Sequence, residues 1–183
     1  MTTQIETNRI ILRNFVESDA PAVFEFNSNL EVQKYTGDEI ITSLERAKEL
    51  ITRVSQADYD TYGYGRWAAV YKPENKVIGF AGLKYLPEIA ETDIGFRFLP
   101  QYWGKGIATE VSKEIIKYGF ETLNLEQIVG VAMPENIGSN KVLEKIGLSL
   151  FKVDGYHGDD GQYNWYRMRK REYESRRNNS IKE

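Results

Sequence analysis

The stretch Asp93-Ile94-Gly95-Phe96-Arg97-Phe98-Leu99-Pro100-Gln101-Tyr102-Trp103-Gly104-Lys105-Gly106-Ile107-Ala108-Thr109-Glu110 changes its apolar period halfway along, and that change limits what the chain can fold into. Ile94, Phe96 and Phe98 alternate with Asp93, Gly95 and Arg97, the period of two of a half-buried strand, and Pro100 ends the ladder by removing a backbone donor. From Ile107 the apolar positions Ile107, Val111, Ile115 and Tyr118 recur every three or four residues, which predicts a helix opening directly after Gly104 and Gly106. Glycines at such a junction let the backbone turn tightly and approach a ligand without an intervening side chain. The first helical N–H groups lack intrahelical partners and carry the positive end of the helix dipole. The junction therefore reads as an anion site, most naturally for a phosphate or pyrophosphate, with an ordinary strand-to-helix turn as the plain alternative.

Spacing and composition remove several classes of function. A P-loop needs a Gly-Lys-Ser/Thr ending, which Gly104-Lys105-Gly106 lacks, and a Rossmann fingerprint would fall in mid-chain with no preceding βαβ unit. At 183 residues the chain is one domain's worth, expected over 1–169, with a charged tail over 170–183 expected to be partly disordered. With 24 basic against 27 acidic side chains the net charge is -3, so no nucleic-acid partner is expected. Zero cysteine removes disulfides and thiolate nucleophiles, and a single histidine rules out a multi-His metal centre, so no metal is expected. That histidine, His157, sits in a polar, glycine-rich loop and is read as a solvated surface imidazole. No signal pattern opens the chain and no apolar run approaches the roughly 20 residues of a membrane span, so a soluble cytoplasmic protein is expected.

Taken in order, Arg9-Ile10-Ile11-Leu12-Arg13-Asn14-Phe15 predicts a first strand, and Ser18 with Asp19-Ala20-Pro21 a helix N-terminus running to about Asn29. Thr42 or Ser43 caps a second helix, with Leu44, Ala47, Leu50, Ile51 and Val54 on one stripe, which ends before Gly63-Tyr64-Gly65. Trp67-Ala68-Ala69-Val70-Tyr71 and the run from Lys76 to Leu83 form a hairpin across Lys72-Pro73-Glu74-Asn75, with Gly79 and Gly82 marking a bulge or bend. After the organising strand and helix, Gln127-Ile128-Val129-Gly130-Val131-Ala132 is a buried strand. Asn136 caps a short helix that Gly147 closes, and two strands over 148–153 and 163–168 finish the domain. The expected fold class is α/β (α+β): a mixed, mostly antiparallel sheet of about six to seven strands, splayed in the middle and flanked by about four helices.

That order, and three local stretches, resemble the GNAT N-acetyltransferase superfamily over nearly the whole chain. Within it the resemblance is nearest to the ribosomal-protein alanine N-acetyltransferase branch. The stretches are Arg9-Ile10-Ile11-Leu12-Arg13, Gly104-Lys105-Gly106-Ile107-Ala108-Thr109-Glu110 and Glu135-Asn136-Ile137-Gly138-Ser139-Asn140-Lys141-Val142-Leu143-Glu144-Lys145-Ile146-Gly147. The second is similar to the superfamily's acetyl-coenzyme A loop, Arg/Gln-x-x-Gly-x-Gly/Ala. Gln101-x-x-Gly104-x-Gly106 matches it letter by letter, while the register that starts the helix at Gly106 puts Trp103 where Arg or Gln is usual. The third departs from the branch only at Leu148, where Phe is usual.

The resemblance implies direct acetyl transfer from acetyl-CoA to a primary amine, on a protein N-terminus or a small molecule, without an acetyl-enzyme. It implies backbone groups of Phe96 and Phe98 bonding the pantetheine arm as a substitute strand, and a pyrophosphate on the loop Trp103, Gly104, Lys105, Gly106, Ile107, Ala108 and Thr109. Lys105 either adds a contact or is a solvated loop lysine. Asn136 would bond the pantetheine amide, and Ser139 would supply the hydroxyl that protonates or stabilises the departing thiolate; helix capping is the plain alternative for both. Asp93, where the branch tends to carry Glu, would accept the ammonium proton, with Glu91 and Glu88 next in line and an ion-paired carboxylate as the plain alternative. Tyr35, Trp67, Tyr85 and Trp103 are candidates for the acceptor vestibule or for the core. A homodimer fits the branch's tendency to pair. A non-catalytic acyl-CoA-binding or sensing domain remains the alternative function, and a nucleotide-binding enzyme using the same turn a weaker one.

Overall fold

The structure, a computed structural model, describes residues 3–156 and 159–180. In chain order the elements are β1 (Thr3–Glu6), β2 (Ile10–Arg13), α1 (Ala20–Asn27), α2 (Leu30–Gln33), α3 (Leu44–Glu49), α4 (Gln56–Tyr62), β3 (Arg66–Tyr71), β4 (Lys76–Leu86), β5 (Glu91–Phe98), α5 (Ile107–Glu121), β6 (Gln127–Ala132), α6 (Ile137–Lys145), β7 (Ser149–Tyr156), β8 (Asp159–Arg169) and α7 (Lys170–Ser180). The strands form one sheet in the order β1-β2-β3-β4-β5-β6-β8-β7. Every neighbouring pair is antiparallel except β5 and β6, which run parallel and share one bridging pair, Asp93 opposite Val129. β5 is paired along its whole length to β4 and diverges from β6 beyond that single bridge, so the expected splay lies in the middle of the sheet.

The mixed sheet with flanking helices is the fold class expected from the sequence, with eight strands rather than six or seven and seven α-helices rather than four among the described residues. β1 is the added strand; at four residues, with Ile5 as its buried anchor, it is too short to show an alternation. The extra helices come from breaks. Asn29 stops the first helix and caps α2, its side chain accepting from the Glu31 and Val32 amides. The second predicted helix is capped by Ser43, whose hydroxyl accepts from the Arg46 amide, but passes through a π-helical turn (Leu50–Ser55) before α4 ends at Gly63, φ 76°. Residues 170–180, expected to be partly disordered, instead form α7. Tyr173 stacks on Phe120 with ring centroids 5.0 Å apart, its hydroxyl donates to Glu121, and Arg177 pairs with Glu121 at 2.9 Å.

The core runs along both faces of the sheet's centre. Ile107, Val111, Ile115, Ile116 and Phe120 bury the inner stripe of α5, while Phe26, Ala47 and Ile51 close the opposite side from the helical N-terminal third. β4 and β5 approach closely at Gly79, where an added Cβ would fall 1.9 Å from the Arg97 carbonyl oxygen. Ile78 is the extra residue of the bulge beside it, since Ala69 faces Gly79 while Val70 faces Val77. Trp67, considered for the vestibule, is core: it is 1% exposed and meets Tyr118 edge-on at 5.5 Å.

Candidate active site

α5 starts where the change of period placed it. Gly104 and Gly106 take left-handed backbone, φ 70° and 75°, and Gly106 is the N-cap of α5. Gly104, Lys105 and Gly106 are exposed, so the loop presents backbone to a ligand, whereas the Ile107 side chain is buried and offers only its amide. Two of the recognised stretches meet here. Arg9 donates its backbone amide to one oxygen of Glu110 and its Nε to the other, at 3.0 and 2.7 Å, and its Nη1 to the Lys105 carbonyl at 2.8 Å. Burial by itself would raise the Glu110 carboxyl; hydrogen bonds from Thr7 and Arg9 and the Arg9 charge outweigh it and hold the group below its ordinary value. The first turn of α5 is thereby pinned to the start of β2. Lys105 turns its ammonium over the Tyr102 ring, 5.6 Å from the centroid, and the Tyr102 phenol is pushed up to about 12 by burial and by its hydrogen bond to Glu74.

The edge of β5 facing the splay carries backbone groups outside the ladder. Leu99 donates to the Ile78 carbonyl at 3.0 Å, so by strand alternation Leu99, Arg97, Gly95 and Asp93 face β4, while Phe98 and Phe96 face the divergence from β6. The Trp103 indole donates to the Phe98 carbonyl at 2.7 Å, and its ring stays 48% exposed at the groove mouth. The Phe98 carbonyl is thus already engaged, which leaves the Phe96 amide and carbonyl as the main backbone partners for a ligand lying in the splay.

Across the splay, α6 presents Asn136 and Ser139. The Asn136 side-chain oxygen caps the helix by accepting from the Ser139 amide at 3.1 Å, which uses the carboxamide's acceptor and spares its donor. Asn140, one residue beyond Ser139, is buried and fully used. Its Nδ2 donates to the Met133 and Asn136 carbonyls at 2.9 and 2.8 Å, and its Oδ1 accepts from Asn164 and from the Tyr166 hydroxyl, both at 2.8 Å. Asn140 therefore fixes the N-terminus of α6 against β6 and β8. Sequence reasoning passed over it, although it lies inside the third recognised stretch, 135–147.

At the far end of the splay stands Asp93, 7% exposed. Its Oδ2 accepts from Arg66 Nη2 in an ion pair, and Arg66 Nη1 donates to the Gly82 and Asp93 carbonyls at 2.5 and 2.9 Å. The guanidinium lies flat across two strands because Gly95 leaves room for it; a Cβ there would sit 2.4 Å from Arg66 Nη2. The ion-paired reading of Asp93 is the one found. Glu91 is directed elsewhere, accepting from Gln127 in a separate pocket at the start of β5, whereas Glu88 lines the same cavity as Asp93. Tyr156, at the end of β7, reaches that cavity as well, its ring 5.6 Å from both Tyr163 and Trp165. Burial first, then the Asp93 and Glu88 carboxylates, push its phenol well up against the opposing pull of Arg66, so the hydroxyl remains a donor at neutral pH. Nothing short-range in the sequence singled out Arg66 or Tyr156. Tyr35 and Tyr85 line this end, Tyr85 against Tyr62 at 4.9 Å, and His157 lies outside the described residues.

One cavity of about 1850 Å³ joins these parts. Asp93, Phe96, Phe98, Trp103, Gly104, Gly106, Ile107, Ala108, Thr109, Asn136 and Ser139 all line it, and within the loop 103–109 Lys105 alone is turned away, over the Tyr102 ring. A splayed mixed sheet with a glycine-started helix at the split is the architecture of an acyl-coenzyme A transferase domain. The profile of the acetyltransferase (GNAT) domain family matches residues 9–149, and the chain belongs to that family. It is 34% identical over 144 residues to the uncharacterised N-acetyltransferase YoaA of Bacillus subtilis, covering 78% of this chain and 81% of that one. A GNAT-family acetyltransferase structure from Bacillus anthracis superposes with a TM-score of 0.78 at 28% identity, over 91% of this chain and 98% of that one. A structure of RimL, a ribosomal L7/L12 α-N-protein acetyltransferase in complex with coenzyme A, superposes with a TM-score of 0.76 over 92% and 98% of the two chains; at 18% identity this is a likeness of fold. The chain is thus an N-acetyltransferase by family, and no described helix is long and apolar enough to cross a membrane.

Proposed function

We propose that the protein transfers an acetyl group from acetyl-CoA to a primary amine, on a protein N-terminus or a small molecule, in the cytoplasm, by direct attack within the 1850 Å³ cavity. The observation that carries this reading is the opening of three independent features, the Phe96 edge of β5, the Gly106 helix start and the Asn136–Ser139 turn, onto that one space. Acetyl-CoA supplies the activated acyl carbon. The exposed amides from Gly104 to Thr109 hold its pyrophosphate, and Phe96 and the Asn136 side-chain donor hold the pantetheine arm. The neutral amine forms the new C–N bond, the C–S bond breaks, and the Phe96 amide steadies the oxyanion between the two events. The Ser139 hydroxyl hydrogen-bonds the departing thiolate, which takes up the proton that the nitrogen sheds as the intermediate collapses, so that amine and thioester give amide and thiol. The ammonium proton leaves through water at the Asp93 edge of the cavity, where Asp93 is paired with Arg66 and the Glu88 carboxylate supplies the further negative charge that favours a cationic acceptor.

The same ion pair favours a second reading, an acyl-CoA-binding or sensing domain without turnover, because it occupies an oxygen of the candidate base. Thiol release from acetyl-CoA with a panel of amines separates the two. Amine-dependent release supports transfer, and saturable CoA binding with no release for any amine supports the sensor. If acetyl-CoA neither binds nor protects the loop 103–109, both readings fail.

A further inference from the structure

Five residues near the amine end of the cavity close a hydrogen-bonded ring. Arg97 Nη1 donates to the Asn27 side-chain oxygen at 2.6 Å, and the same oxygen accepts from Gln33 Nε2 at 3.1 Å. Gln33 Oε1 accepts from the Thr36 hydroxyl at 2.6 Å, that hydroxyl accepts from the Asp38 amide at 3.2 Å, and Asp38 Oδ2 accepts from Arg97 Nη2 at 2.5 Å. The ring ties the end of α1, the end of α2 and the segment 37–42 to β5, and no short sequence motif announces it. Arg97 also lies over the Phe80 ring, 5.1 Å from its centroid. Its side chain is 12% exposed, while that of Asp38 is 59% exposed. Burial works against the Arg97 charge and Asp38 supports it, so the guanidinium depends on that one carboxylate.

Residues 37–42 all line the cavity, yet residues 38–43 belong to no helix or strand. Gly37 turns the chain at φ 69°, Ile41 is buried as an apolar peg, and the Asp38–Arg97 ion pair supplies the charged tether between this strap and the sheet. Arg97 directly follows Phe96, the residue whose backbone faces the splay, so a strap held to Arg97 is held in register with the reacting end of the groove.

We propose that the Asp38–Arg97 pair is the latch that fixes the strap as the acceptor wall, making Arg97 a positioning residue and the 37–42 strap the element that selects among amines. The inference rests on the amine end of the cavity being as proposed above. The test is steady-state kinetics of the full chain with acetyl-CoA and two amines, one compact and one branched, for wild type and for Asp38→Asn, Asp38→Ala and Asp38→Glu. Asp38 is largely exposed, so these substitutions leave the core intact, and melting temperatures check that they do. The expected result is an amine KM raised on the order of tenfold in Asp38→Asn and Asp38→Ala, the loss of one charge-assisted bond, with the acetyl-CoA KM within about twofold. The preference between the two amines should shrink in those variants, and Asp38→Glu should restore most of both. An unchanged amine KM in Asp38→Asn overturns the latch, and so does a parallel rise of both KM values, which means general loosening. A wild type that binds CoA but releases no thiol with any amine overturns the transferase reading and this inference together, an outcome distinct from the other two.

Discussion

Asp93→Asn separates the two things the Asp93 carboxylate can do, because the asparagine amide keeps the shape and a hydrogen-bond acceptor while removing the charge. The partners in the native pair are 18% and 10% exposed at the side chain, so solvent screens them little. Removing one partner of a buried pair costs about 3–5 kcal/mol. Arg66 keeps the Gly82 and Asp93 carbonyls as acceptors, which puts the expected loss at the lower end of that range, about 3 kcal/mol. For a chain of this length each kcal/mol moves the melting temperature by about 2–4 °C, so a fall of about 6–12 °C is expected. A carboxylate that took the proton directly would contribute about 10²–10⁴ to the rate and carry the rising limb of the pH profile. With Asp93 engaged by Arg66 and the proton leaving through water, kcat/KM should fall by only about tenfold and the rising limb should persist. Urea titrations and pH–rate profiles by thiol release, on both proteins, measure the two effects. A loss of stability under about 1 kcal/mol together with a vanished limb would refute the reasoning, since it would mean that the carboxylate is held for proton transfer and not for Arg66.

Ser139→Ala should lower kcat by at least about tenfold while leaving the CoA dissociation constant within about twofold; unchanged turnover removes the hydroxyl from the chemistry. Gly106→Ala forces an L side chain to φ 75°, and since the nearest atom to an added Cβ is Arg9 Nη2 at 3.8 Å, the cost of about 1–2 kcal/mol is one of backbone, not of space. Its acetyl-CoA KM should rise with the amine KM unmoved, and equal KM values in variant and wild type would argue against a phosphate on this turn. Glu110 has a native carboxyl below its ordinary value, so its contribution to stability is present above the unfolded value of 4.5 and is lost as the pH falls through the lower native one. Glu110→Gln should therefore be less stable than wild type at neutral pH and match it in acid; a stability gap that persists through the acid limb would show that Glu110 acts through packing instead.

How much of this was legible in the sequence depended on chain separation. The junction of β5 and α5 could be read because a period of two gives way to one of three or four across Gly104 and Gly106, and the caps Ser43 and Asn136 could be read because each acts within three residues. α7 could not. Its composition is that of a solvated tail, and what orders it is distant: the Phe120 ring, the Glu121 carboxylate, and the Gly147 carbonyl that accepts from Arg176 at 2.5 Å across 29 positions. The split of the second helix was hidden for a similar reason, since Ala47 before the π-helical turn and Ile51 within it keep the expected buried stripe.

The candidate site divides along the same line. Its cofactor side is made of contiguous stretches, the glycine loop and the turn from Asn136 to Ser139, and these declare themselves by spacing. Its amine side is made of pairs that cross the sheet or join it to a helix or to the strap: Arg66 to Asp93 over 27 positions, Arg97 to Asp38 over 59 and Arg97 to Asn27 over 70. A carboxylate read alone on a strand looks equally like a base or half of an ion pair, and only the cationic partner decides. One trace of that partner does exist in the sequence. Gly82 and Gly95 face each other on β4 and β5; at Gly82 the missing side chain lets the backbone at Gly65, just before β3, come close, and at Gly95 it leaves a trough that something must fill. Here the guanidinium of Arg66, from the third strand, fills the space at Gly95, bonds the Gly82 carbonyl and has its charge met by Asp93, so the glycine on β5 and the arginine on β3 belong to one buried ion-pair arrangement that only the sheet register brings together.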